Sequence, residues 1–222
     1  MEFDEELEKL VGRYFNEAHS IFKYVDAEGE PLHVEFHFES RFDYLNKYLG
    51  FYKQLDGLAE VISYSCNAKF KLEEGGEVYE IRHPHQESFI GRDKKPRGVL
   101  ASVLKDMDKK VQKRISHIQN AKTFDEVMQI VEEERIRYFG DLAVYDTSVR
   151  IAAYLNITPD KVYLHAGALD GAKSLEAKGL VPVGSSEASC ISVTVMPEPL
   201  KKLHPVQMEN FLCSFKNELE NL

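Results

Sequence analysis

The sequence predicts an α+β, helix-rich fold: an N-terminal antiparallel sheet with helices, then a mainly helical C-terminal part with a helix-hairpin-helix-like turn. Three observations predict it. Residues 32–38 and 61–72 alternate apolar and polar side chains at the period of a strand, and the second stretch runs into Gly75-Gly76. Beyond Gly98 the apolar residues recur mostly at helical spacing. The charge balance shifts at about the same place, with 12 Lys/Arg against 20 Asp/Glu over residues 1–96 and 16 against 17 over 97–222. The expected division is an acidic α+β portion over 1–91 and a mainly helical portion over 92–222, as two domains or one continuous one.

Element by element, Leu7, Leu10, Val11, Tyr14, Phe15, Ala18 and Phe22 predict an amphipathic helix over 4–24, ended by the turn from Asp26 to Pro31. Leu32, Val34, Phe36 and Phe38 then share one face of a strand. Ser40 with Asp43 can cap a helix carrying Phe42, Leu45, Tyr48, Leu49 and Tyr52. Ile62, Tyr64, Cys66, Ala68, Phe70 and Leu72 predict a strand that turns at Gly75-Gly76 into a second one over Val78–Ile81. The segment from His83 to Gly98 holds two prolines, two glycines and a charge cluster, the composition of an interdomain or functional loop.

Leu100, Val103, Leu104, Met107, Val111, Ile115 and Ile118 predict one long helix. Thr123 and Glu126 form a capping box for a helix running to about Ile136. Gly140 breaks it, and Asp141 can cap the next helix, over 142–155. Val162 to His165 reads as a short strand, and residues 168–178 as a helix closed by Gly179. Ile191 to Val195 reads as a strand. Pro205 opens a last helix, with Val206, Phe211, Leu212, Phe215 and Leu219 as its buried stripe.

Tyr and Phe supply 24 large rings in 222 residues, enough for a substantial core. Cys66, Cys190 and Cys213 are odd in number and widely spaced, which fits reduced thiols better than a disulfide framework. The N-terminus MEFDEELEKL is acidic where a signal peptide is basic, and no apolar run is long enough to cross a bilayer. A cytoplasmic protein without a membrane partner is therefore expected. A net charge of −9 repels nucleic acid at long range, so such a partner needs a local basic patch. The sequence has no Walker loop, no dinucleotide fingerprint and no nucleophile elbow, and no cofactor is expected.

The segment from Arg92 to Arg114 provides that patch: Arg92, Lys94, Lys95, Arg97, Lys105, Lys109, Lys110, Lys113 and Arg114 stand against three acids. Lys105, Lys109 and Lys113 recur every four residues and so line one helical face. The alternative is a solvated face that balances the acidic first portion. Residues 136–151, a helix, a turn at Gly140 and another helix, look like a helix-hairpin-helix, in which backbone N–H groups grip a phosphate. Tyr138 stands near the position of the module's other glycine, and Phe139 and Leu142 keep its apolar contacts.

His165, at the end of a strand before Gly167, is a candidate general base, or a ring bonded to neighbouring backbone. His33, His37, His83 and His85 form two histidine pairs, but no HExxH or paired CxxC accompanies them and no metal site is expected.

The motifs YDTSVRIAAYL, VYLHAGALDGAKSL and MENFLCSFK, over about the last 80 residues, resemble a group of bacterial proteins with no assigned activity. The stretch from Val144 to Leu155 also resembles, remotely, the helix-hairpin-helix DNA glycosylases, where an Asp-Thr pair opens a helix and the Asp is catalytic. That resemblance implies Asp146 as a catalytic acid; the alternative is an ion pair between Asp146 and Arg150, four residues on.

The leading expectation is thus a DNA- or RNA-associated protein that contacts phosphate through Gly140, Arg97, Lys105, Lys109, Lys113 and Arg114. The rival is a protein-interaction or regulatory module with a protein partner or a second copy of itself. The third is an enzyme using Asp146 or His165.

Overall fold

The computed structural model describes residues 2–90, 94 and 96–222. Its elements begin with α1 (Glu2–Asn16), β1 (His19–Val25), β2 (Pro31–Phe38), α2 (Arg41–Lys53), α3 (Leu58–Cys66), β3 (Lys69–Glu74) and β4 (Glu77–Arg82). The short strands β5 (Phe89–Ile90) and β6 (Pro96–Arg97) follow, then α4 (Ala101–Gln112), α5 (Ile115–Asn120), α6 (Phe124–Glu133) and α7 (Asp141–Tyr154). The chain ends with β7 (Lys161–Tyr163), α8 (Ala166–Ala177), β8 (Cys190–Ser192), α9 (Pro205–Ser214) and α10 (Lys216–Glu220). Ten helices and four two-stranded sheets among the described residues make this the α+β, helix-rich fold the sequence predicts. No described helix is long and apolar enough to cross a membrane.

The chain divides into two compact units, neither of which is a single stretch. One comprises Met1–His19, Glu39–Leu45 and Thr158–Leu222; the other comprises Ser20–Phe38 and Asn46–Ile157. This differs from a cut after residue 91, because α3 and the β3–β4 hairpin belong with α4 to α7, while α1 belongs with α8 to α10.

In the first unit, Leu7, Leu10, Val11 and Tyr14 of α1 join Ala168, Ala172 and Leu175 of α8 and Phe211 and Leu212 of α9 in one buried cluster. A Cβ on Gly171 would stand 2.5 Å from the carbonyl oxygen of Leu212, so α8 and α9 meet at backbone distance. β7 and β8 pair antiparallel, with Val162 opposite Ile191.

In the second unit, α3, α4, α6 and α7 enclose Val61, Ile62, Cys66, Leu104, Met107, Val111, Val127, Val131, Val144 and Ile151. β3 and β4 form the expected hairpin, Phe70 opposite Ile81, with Gly75 and Gly76 both left-handed as a two-residue hairpin turn requires. The capping box at Thr123 is present, its hydroxyl accepting from the Glu126 N–H at 3.2 Å.

Six elements differ from the sequence reading, among them the strand expected over Ile191–Val195, which ends at Ser192 and passes into a 3-10 turn over Val193–Val195. The helix over 4–24 stops at Asn16, and 19–25 is strand; Phe22 fits the helical period but points outward, 46% exposed. Residues 61–66, the start of the strand expected over 61–72, belong instead to the helix Leu58–Cys66, because Val61, Ile62, Ser65 and Cys66 fit the helical period and are buried. Left-handed Ala68 then makes the join to β3. The long helix over 100–118 breaks after Gln112, with no glycine or proline at the break. Gly140, not Asp141, is the N-cap residue of α7. The last helix breaks at Phe215 into α9 and α10.

Candidate functional site

The most unusual chemistry lies within the second unit, in the five residues after β4. His83 donates its backbone N–H to the Ala68 carbonyl at 2.8 Å, and the N–H groups of Gln86 and Glu87 both return to the His83 carbonyl at 3.1 Å. Pro84 fixes the backbone between the two histidines. The buried Lys23 ammonium donates to the Arg82 carbonyl at 2.7 Å and pairs with Glu87. Gly98 closes the segment from the other side: its φ is +74°, and a Cβ there would fall 1.9 Å from the Glu87 carbonyl oxygen. Backbone and ion pairs therefore hold His83 and His85 in place.

Asp146 and Arg150 are one turn apart on α7 and turn towards that segment. Asp146 Oδ2 lies 2.9 Å from His85 Nδ1 and 3.9 Å from His83 Nδ1, and it accepts from Gln86 Nε2 at 2.8 Å. Arg150 is fully buried and donates to Gln86 Oε1 at 2.7 Å, to the Ser65 carbonyl at 2.9 Å and to the Tyr48 hydroxyl. Its guanidinium also stands 3.7 Å from Asp146 Oδ2. Tyr48 lies against His83, with ring centroids 5.0 Å apart. The His85 side chain is 35% exposed and Asp146 only 12%, so His85 is the side of the cluster that meets solvent.

The protonation states follow from these surroundings. Burial opposes ionisation of Asp146, but the hydrogen bond with His85 and the charge of Arg150 outweigh it and hold its carboxyl well below the usual range. Burial pushes His83 well below the ordinary imidazole value, with Asp146 pulling the other way, so the ring is neutral near pH 7. Burial raises Tyr48 to about 12. Arg150 keeps its charge despite burial because Tyr48, Tyr52 and Asp146 all favour it.

One donor atom from each of His83, His85 and Asp146 lies within 4.8 Å of the others. Two donors bound at about 2.0–2.1 Å to one tetrahedral ion stand about 3.3 Å apart. The separations of 2.9 and 3.9 Å from Asp146 Oδ2 bracket that spacing. The same geometry, with Nδ1–H donating to the carboxylate, would orient His85 as an acid–base group.

The other expected site residues are placed as follows. Lys109 is ion-paired with Asp106 at 2.8 Å, and Arg114 with Glu133 and Glu134 at 2.9 Å each, so two cations of the basic stripe face carboxylates. Lys105, Lys110 and Lys113 are exposed, and no ion pair is found for them among the described residues. Arg97 is exposed on β6. Arg92 and Lys95 lie outside the described residues.

Gly140 is extended (φ −76°), and the left-handed residue of the turn is Tyr138 (φ 72°). Asp141, in the first turn of α7, pairs with Arg135 and puts a carboxylate beside the amides expected to grip phosphate. His165 is the N-cap residue of α8 in the first unit, stacked on Tyr163. It lies in the first unit, and Asp146 lies in the second.

Of the four clustered histidines, His83 and His85 converge, whereas His37 pairs with Glu74 at 3.2 Å. Gln86 and Tyr48 carry no sequence signal for the site; only the spacing of Asp146 and Arg150 hinted at a shared face.

No protein-family model matches the chain, no curated protein matches it and no solved structure matches it, so the functional reading is carried by this geometry.

Proposed function

We propose that the protein binds a divalent transition-metal ion, of the kind zinc represents, through His83, His85 and Asp146. The observation that supports this is the convergence of two imidazoles and one carboxylate within 4.8 Å on backbone segments that are themselves fixed. Imidazole nitrogen with a single carboxylate suits zinc, iron or copper and not calcium or magnesium, which take mainly oxygen. Three protein ligands leave one tetrahedral position open, and the exposure of His85 gives the ion a way in. An ion held this way activates a water molecule or polarises a bound oxygen, so metal-assisted hydrolysis is the reaction class the site fits.

The test is a titration of the metal-free protein with Zn²⁺ and with Co²⁺, whose visible absorption reports its coordination. One equivalent is expected to bind, and His83→Ala and His85→Ala are each expected to remove most of the affinity. A protein that takes up neither ion, or whose uptake ignores both substitutions, rules the reading out.

Nucleic-acid contact is the second reading. It is favoured by Lys105, Lys110 and Lys113, exposed along one helical stretch, and by the left-handed Tyr138 at the position of the hairpin's first glycine. The carboxylates facing Lys109 and Arg114 weaken it. Binding to mixed-sequence DNA should fall with salt, and Lys105→Glu with Lys113→Glu should flatten that dependence. Affinity indifferent to salt and to both reversals removes this reading.

A further inference from the structure

We infer that Gln86, held by the buried Arg150, is a positioning residue for the Asp146 carboxylate, so that metal affinity depends on a pair of side chains that donate nothing to the ion. This rests on the metal reading above. Asp146 is within reach of two imidazoles, and its carboxylate has to present one oxygen to both. Gln86 Nε2 donates to that same oxygen, Oδ2, at 2.8 Å, while Gln86 Oε1 accepts from Arg150 Nη2 at 2.7 Å.

An amide has one donor end and one acceptor end. The guanidinium can only donate, so it fixes which end of Gln86 faces it and leaves the NH₂ turned to Asp146. Arg150 is itself held at its other nitrogens by the Ser65 carbonyl and the Tyr48 hydroxyl. The chain of contacts thus runs from α3 and α2, through Arg150 and Gln86, to a single carboxylate oxygen. Gln86 is 1% exposed and Arg150 fully buried, so water cannot stand in for either.

Residues that orient metal ligands in this way typically alter metal affinity by about 10- to 100-fold when removed. Gln86→Met keeps the length and volume of the side chain and removes both polar ends. The expected result is Zn²⁺ and Co²⁺ affinity weakened about 10- to 100-fold, with a changed Co²⁺ spectrum. Protection of the buried Cys66 thiol against a labelling reagent should meanwhile stay within about threefold of the unsubstituted protein if the core is intact. Arg150→Lys is the second variant: it keeps the charge but cannot reach Gln86, Ser65 and Tyr48 together, and it should weaken binding in the same direction.

Unchanged affinity and spectrum in Gln86→Met, in a protein that binds one ion and loses it with His85→Ala, overturns the positioning role alone. So does a loss of affinity matched by an equal loss of Cys66 protection, which marks a merely structural residue. Absence of uptake by the unsubstituted protein overturns the metal reading and this inference with it.

Discussion

Arg150→Met should loosen the second unit far more than its change in volume suggests. The guanidinium is fully buried and serves the Tyr48 hydroxyl, the Ser65 carbonyl and Gln86 Oε1, besides standing 3.7 Å from Asp146. Methionine fills much of the space but leaves Asp146 a mostly buried carboxylate without its cation. A hydrogen bond from a charged donor contributes about 1.5–3 kcal/mol, and these bonds share one group, so they do not add. Removing one partner of a buried ion pair costs about 3–5 kcal/mol, and that range is expected here.

Cys66 supplies the readout. It is buried in the same core, and burial raises its thiol pKa, so it reacts only when the unit opens. At about 1.4 kcal/mol per factor of ten, its labelling rate should rise by roughly a hundredfold to a few thousandfold. Cys190 and Cys213 lie in the first unit and serve as internal controls. Asp146→Leu combined with Arg150→Met removes both charges and should recover a large part of the loss, because an apolar replacement of a whole buried pair is often neutral. A Cys66 labelling rate within about threefold of the unsubstituted protein for Arg150→Met would show that the guanidinium does not hold the unit closed.

Four further outcomes are expected. Gly98→Ala cannot keep both φ +74° and its approach to the Glu87 carbonyl, so it should shift the segment from His83 to Ser88 and raise hydrogen exchange there. Thr123→Ala loses the capping box of α6 and should cost about 1 kcal/mol, read by urea denaturation. Gly171→Ala improves helix propensity by about 1 kcal/mol, but its Cβ meets backbone of α9 at 2.5 Å, so a net fall in thermal midpoint is expected.

His19, in the first unit, is lowered to about 4 by burial and then by the charge of Arg41. Its folded pKa lies below the unfolded value of 6.5, so its contribution is complete above pH 6.5 and is lost as pH falls towards 4. A shift of that size would be worth about 3 kcal/mol in full, and partial exposure reduces it to about 1–2 kcal/mol. His19→Gln should flatten the pH dependence of the thermal midpoint over that window, and an unchanged profile would show that the ring carries none of it.

Much of the fold was legible because amphipathic period and capping chemistry are local. The Thr123–Glu126 box, the Gly75-Gly76 turn and Gly179 as a C-terminal stop are all present where the residues place them. Residues 61–66 are ambiguous in the sequence because Ile62, Tyr64 and Cys66 satisfy a strand while Val61, Ile62, Ser65 and Cys66 satisfy a helix equally well. Which period wins depends on what the segment packs against, here α4 and α7. The division into units was illegible for the same reason, since the return of residues 158–222 to α1 is a long-range event. Of the site, the His83-Pro84-His85 run and the Asp146–Arg150 spacing were both visible, each open to an ordinary explanation. Only folding brings His85 onto Asp146, 61 positions further along the chain.

The character of that meeting point decides how it should be understood. A core that needed only stability would do as well with apolar side chains at positions 146 and 150, because desolvating two charges offsets most of what their attraction returns. The Arg150 guanidinium is fully buried, yet it does not use up its carboxylate: it stands 3.7 Å from Asp146 and directs its shorter contacts to Gln86, Ser65 and Tyr48. Asp146, ionised through its hydrogen bond with His85 and the charge of Arg150, is turned towards two imidazoles, one of them neutral through burial and the other open to solvent. Neutral imidazole and ionised carboxylate are the protonation states in which these side chains bind a metal ion. The buried cation thus helps His85 keep Asp146 ionised, a role that an apolar pair of the same volume would not fill.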